Sequence, residues 1–70
     1  MTVQITVNGE PRELEPGATV ADVVASLPGA PEGRGVAVAL DGEVLRRSIW
    51  DSTELGPGAR VEVVVAVQGG

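Results

Sequence analysis

The chain has 70 residues, with ten Asp and Glu against five Arg, no Lys, no His and no Cys, and a net charge of −5. That length makes one small domain held by its core alone, because disulfides and thiolate metal sites are excluded and the usual general base and commonest metal ligand are missing. The acidic balance, with arginines scattered at positions 12, 34, 46, 47 and 60, argues against nucleic acid or an anionic membrane as partner.

The first stretch, "TVQITVN", alternates: Val3, Ile5 and Val7 on one face, Thr2, Gln4 and Thr6 on the other. That period of two predicts a half-buried strand. Asn8-Gly9 follows, a strong hairpin signal because both residues tolerate positive φ. The return strand, "PRELE", begins at Pro11, which lacks an N–H and so points to an edge position. Pro16-Gly17 breaks the sheet.

From Thr19 the period changes. Val20, Val23, Val24 and Leu27 fall at i, i+3, i+4 and i+7, one face of a helix. Thr19 is placed to cap it, with Asp22 as the acidic partner of a capping box beside the positive helix end. Pro28-Gly29 ends the helix, and "PGAPEGRG" reads as a loop.

"VAVAL" (36–40) is a third strand whose run of apolar residues leaves its inward face undecided. Asp41-Gly42 makes a second tight turn into a short "EVLRR". "SIWD" is a candidate helical turn, and "GPG" at 56–58 a further turn. In the last strand, "RVEVVVAV", Val61, Val63, Val65 and Val67 are expected inward and Glu62, Val64 and Ala66 outward. Hairpin, helix and three further strands predict an α+β fold, a mixed sheet of four or five strands wrapping one helix. The domain is assigned residues 1–67, with 68–70 as a flexible tail.

The opening "MTVQITVNGE" lacks the charged n-region and apolar run of a signal peptide. No stretch approaches the ~20 apolar residues that span a bilayer. A cytoplasmic protein with no membrane partner is the expectation.

Side-chain chemistry is poorly supplied. No Cys, His, Lys or Tyr is present, and the hydroxyls have no neighbouring base to activate them. Glu13 and Glu15 sit at strand spacing beside a turn and read as solvated surface charges, too few to cage a cation. The glycines at 29, 33 and 35 lack the strand and the Gly-Lys-Ser/Thr of a phosphate loop. The chain is therefore expected not to be an enzyme and to hold no metal or cofactor of its own.

What remains is the ending, Gln68-Gly69-Gly70. One reading is a frayed terminus. The other is a working α-carboxylate on Gly70. Two residues without Cβ can take any φ and thread a channel too narrow for side chains, while the valines before them anchor the tail's base. A carboxylate is a poor electrophile, so a partner would have to activate it.

With these residues on view, the chain resembles a known family. The order of hairpin, helix and strands before Gly-Gly resembles the ubiquitin-like β-grasp fold. The segments "VNGEP", "TVADVVASL", "VALDGEVLRRSIW" and "GPGARVEVVVAVQGG" resemble the ThiS family, sulfur carriers of thiamin biosynthesis. The resemblance implies that a ThiF-like adenylyltransferase uses ATP to convert the Gly70 carboxylate to an acyl-adenylate. Sulfur from a cysteine desulfurase then replaces AMP, leaving a covalent 1-thioglycine at Gly70, and a ThiG-like thiazole synthase takes up the sulfur. Gly69 and Gln68 form the tail. Val64 lies where ubiquitin-like folds dock their activating enzymes, and with Ala66 and Arg47 it is a candidate partner contact. Two positions depart from the family pattern, Asp41 where Asn is frequent and Arg46 where Pro is frequent. Trp50, the single aromatic residue, is expected to close one end of the core.

Two other readings stay open: a carrier of the same mechanism serving molybdopterin or cysteine synthesis, and a ubiquitin-like protein modifier. Thiazole synthase genes nearby would mark the first reading, molybdopterin synthase genes the second, and isopeptide conjugates on other proteins the third.

Overall fold

The alternating N-terminal stretch forms β1 (Val3–Val7), which pairs antiparallel with β2 (Glu10–Leu14) so that Val7 faces Glu10 and Val3 faces Leu14. The structure is a computed structural model and describes residues 1–27 and 35–65. Asn8 and Gly9 make the turn at φ 51° and 82°, the two positive values that a two-residue hairpin of this twist requires. Pro11 lies on β2, which is an edge strand, where a missing N–H interrupts no inner ladder.

Helix α1 (Val20–Ala25) starts at a complete capping box. The Thr19 hydroxyl accepts from the Asp22 backbone N–H at 3.3 Å, and the Asp22 carboxylate accepts from the Thr19 N–H at 2.9 Å. Two of the N–H groups that a helix start leaves unpaired are thereby satisfied. The face Val20, Val23 and Val24 is buried and Leu27 packs against the core, as the 3.6-residue period requires. The expected loop falls largely on residues 28–34, which lie outside the described residues.

β3 (Val36–Leu40) turns through Asp41-Gly42 into the short β4 (Glu43–Leu45). Val38 is the buried residue of β3, with Val36 and Leu40 half-buried beside it, so the inward face that the sequence left undecided is the even-numbered set 36, 38, 40. A 3₁₀ segment, Arg47–Ser52, carries Trp50 into the core. Its indole N–H donates to the Leu45 carbonyl at 3.1 Å, so the ring's one polar atom is satisfied where it is buried. Trp50 is the packing anchor that was expected.

The last strand, β5 (Arg60–Val65), sits in the middle of the five-stranded sheet, whose order is β2-β1-β5-β3-β4. It runs parallel to β1, with Thr6 beside Arg60 and Val7 beside Val61, and antiparallel to β3, with Val36 beside Val65 and Leu40 beside Val61. The core gathers Ile5 and Val7 from β1, the helix valines, Val38, Trp50, Leu55, Ala59, Val61 and Val63.

The expected inward face of β5 holds in register, but its burial does not reach Val65. Val61 and Val63 are buried, but Val65, expected inward, is 37% exposed. Pairing with β1 ends at Val61, so at Val65 the strand has only β3 beside it and too little of the sheet to cover its side chain. Val67 lies outside the described residues, as does the assigned boundary at 67/68.

Candidate functional site

The residues expected to work are the tail and three contact candidates. Gln68, Gly69, Gly70 and Ala66 lie outside the described residues; Val64 and Arg47 lie within them. Val64 is 66% exposed, on the face of β5 opposite to the buried Val61 and Val63. The alternation of the strand dictates this.

The register shows what surrounds it. Val64 is directly opposite Ala37 on β3, and Ala39, two residues on, lies between Glu62 of β5 and Val44 of β4. Directly opposed residues share a face of the sheet. Val64, Ala37, Ala39 and Val44 therefore form one apolar patch on the outer face, crossed by the single carboxylate of Glu62. The other half of that face is polar, with Gln4 and Thr6 on β1 and Glu13 on β2. The Thr2 hydroxyl donates to the Glu13 carboxylate at 3.1 Å, and both Glu13 and Glu15 are exposed as expected.

Val44 was missed from the sequence, although it is 78% exposed. In "EVL" a lone valine between Glu43 and Leu45 carries no sign of its face. The signal was in the turn: a two-residue Asp41-Gly42 hairpin forces Leu40 to face Glu43 and Ala39 to face Val44, so once Val38 is known to point inward, Val44 must point out.

Arg47 is exposed at the start of the 3₁₀ segment and lines a shallow groove with Ala21, Val24 and Ala25 of α1 and with Trp50 and Asp51. This groove is on the helix side of the sheet, so the structure does not bring Arg47 together with Val64. A partner gripping the outer face would meet Val64 and Val44; one reaching Arg47 would have to come around the domain.

At the departure from the family pattern, Asp41 sits at φ 51°. Its Oδ1 accepts from the Arg60 N–H at 3.0 Å, and its own N–H donates to the Arg60 carbonyl at 2.8 Å. The side chain acts only as a short acceptor that tolerates positive φ, a role Asp and Asn both fill. Among the described residues no three acidic side chains converge on a possible metal position, and no helix is long and apolar enough to cross a membrane.

A mixed five-stranded sheet wrapped on one helix, with its last strand in the middle and running parallel to the first, is the ubiquitin-like β-grasp fold. Within it the chain belongs to the ThiS family, which it matches over residues 5–70. It is similar to the crystal structure of the thiamine biosynthesis protein ThiS from Geobacter metallireducens. The TM-score is 0.78 at 33% identity, covering 97% of this chain and all (100%) of the other. The solution structure of a thiamine biosynthesis protein from Geobacter metallireducens is similar at a TM-score of 0.76 and 33% identity, covering 97% of this chain and 88% of the other. No curated protein matches the chain.

Proposed function

We propose that this chain is the sulfur carrier of thiamin thiazole formation, with the α-carboxylate of Gly70 as its working group. The observation that carries the reading is membership of the ThiS family over residues 5–70, a span that includes the terminal Gly-Gly. A carboxylate oxygen of Gly70 attacks the α-phosphorus of ATP on a ThiF-like adenylyltransferase, and pyrophosphate leaves. A persulfide formed through a cysteine desulfurase attacks the activated carbonyl and AMP leaves; a thiol then reduces the resulting acyl disulfide, releasing the persulfide's carrier thiol. The resulting thiocarboxylate passes its sulfur to a ThiG-like thiazole synthase. The chain is a cytoplasmic carrier, the group acted upon rather than the catalyst.

The test is an intact-mass spectrum after incubation with a ThiF-type enzyme, ATP and a sulfur donor. The expected product is heavier by one sulfur-for-oxygen exchange, localised to Gly70. An unchanged mass beside a positive control carrier would refute the reading, and a ladder of isopeptide conjugates would replace it with that of a protein modifier.

The outer-face patch is proposed as the surface the adenylyltransferase grips. Exposed contiguous apolar area of this kind marks an interface, and Val64 lies six positions before Gly70. Val64→Asp puts a desolvated carboxylate beside Glu62 in that contact. It is expected to raise the adenylyltransferase's KM for this chain about tenfold, a loss of ~1.4 kcal/mol, with an unaltered melting temperature. An unaltered KM would remove the patch from the interface.

A further inference from the structure

The Asn8-Gly9 turn does more than reverse the chain. Gly or Asp at position 8 would satisfy its φ of 51° equally well, yet the residue present is the one whose short side chain carries both an acceptor and a donor. Both are used. Asn8 Oδ1 accepts from the Val63 N–H at 2.8 Å, and Asn8 Nδ2 donates to the Val63 carbonyl at 3.1 Å.

These bonds fall where a backbone should have been. Thr6 N–H donates to the Ala59 carbonyl at 3.0 Å and Asn8 N–H to the Val61 carbonyl at 2.8 Å, so the parallel ladder climbs β5 two residues at a time. The next rung belongs to Val63, but β1 has ended and the chain has turned away into β2. The side-chain amide of Asn8 stands in for the missing peptide group. Without it, β5 beyond Val61 is paired on one side only, by β3 as far as Val36 and Val65. Its last inward side chain, the exposed Val65, adds little packing there.

We infer that Asn8 is a positioning residue: its amide fixes the end of β5, the strand that leads to the Gly70 carboxylate. This rests on the proposed role of Gly70. The patch that docks the partner belongs to β3, β4 and β5 and does not include Asn8, so the contribution appears in turnover rather than in binding.

The test compares the full chain with Asn8→Gly, which keeps the turn and removes the clamp, and Asn8→Asp, which keeps the turn and the acceptor but sets a carboxylate against the Val63 carbonyl. In Asn8→Gly, Val63 amide exchange accelerates on the order of tenfold, and in Asn8→Asp by less, since an acceptor for the Val63 N–H remains, while exchange at Val38 in the core is unchanged and shows that the domain is folded. With a ThiF-type enzyme and ATP, kcat falls about fivefold and KM holds. Val63 exchange at the wild-type rate in Asn8→Gly would overturn the clamp; faster exchange with an unaltered kcat would overturn the positioning role. Wild-type chain that gains no sulfur would overturn the carrier reading and the positioning role with it, and Val63 exchange would still decide whether the amide holds β5.

Discussion

Replacing Trp50 by alanine lowers the stability of this domain by about 3–5 kcal/mol, which for a chain of this size leaves a large fraction unfolded. Trp50 is the single aromatic side chain in 70 residues and is only 5% exposed. Among the described residues, seven of the other ten buried side chains are valines and the rest are Ile5, Leu55 and Ala59, so none matches the indole in size. The 3₁₀ segment Arg47–Ser52 has no side-chain cap hydrogen bond at its start, and the indole ties it to the end of β4 through the Leu45 carbonyl. Urea unfolding followed by far-ultraviolet circular dichroism measures the loss, since the variant has no tryptophan fluorescence. Trp50→Phe divides the effect: it keeps much of the packing but leaves the Leu45 carbonyl without its donor, at a cost of about 1–3 kcal/mol. A loss under 1 kcal/mol for the alanine variant would mean that the core closes without the indole.

Deleting Gly70 has the opposite profile, complete loss of sulfur loading with no loss of stability. The shortened chain still ends in a glycine carboxylate, now on Gly69, so the chemistry of the group is unchanged. Its reach is not: one residue spans roughly 3.5 Å of extended chain, and a misplacement of only about 1 Å can cost on the order of 10²-fold in rate. Loading is therefore expected to fall by more than about 10²-fold, read as the absence of the sulfur-for-oxygen mass change under conditions where the full chain is converted. The melting temperature stays the same, because Gly70 has no side chain to bury and the core formed by the described residues does not include it. A deletion variant that still loads would move the working group away from Gly70, and one that unfolds would mean that the terminal residues belong to the domain.

The sequence exposed both of these positions readily. A lone tryptophan among valines and a Gly-Gly ending are visible in composition and position. The resemblance to the ThiS family, carried by "VALDGEVLRRSIW" and the final strand, linked the ending to sulfur. Asn8 and Val44 were not visible in that way. Asn8 was legible as a turn residue, because a turn is set by two adjacent φ values, but its bonds to Val63 join residues 55 positions apart.

The sequence by itself determined the local devices of this protein: the alternation of β1, the Asn-Gly and Asp-Gly turns, the Thr19–Asp22 capping box and the valine face of α1. Each depends on residues within one turn or one strand of each other, so periodicity and backbone preference suffice. Only the tertiary structure decided that the last strand lies in the middle of the sheet, parallel to the first. It also decided that Val65 loses its cover where β1 stops, and that Val44 and Val64 meet on one open face. Those outcomes depend on which distant strands pair and in what register, and a valine carries the same hydrophobicity whichever face its register gives it.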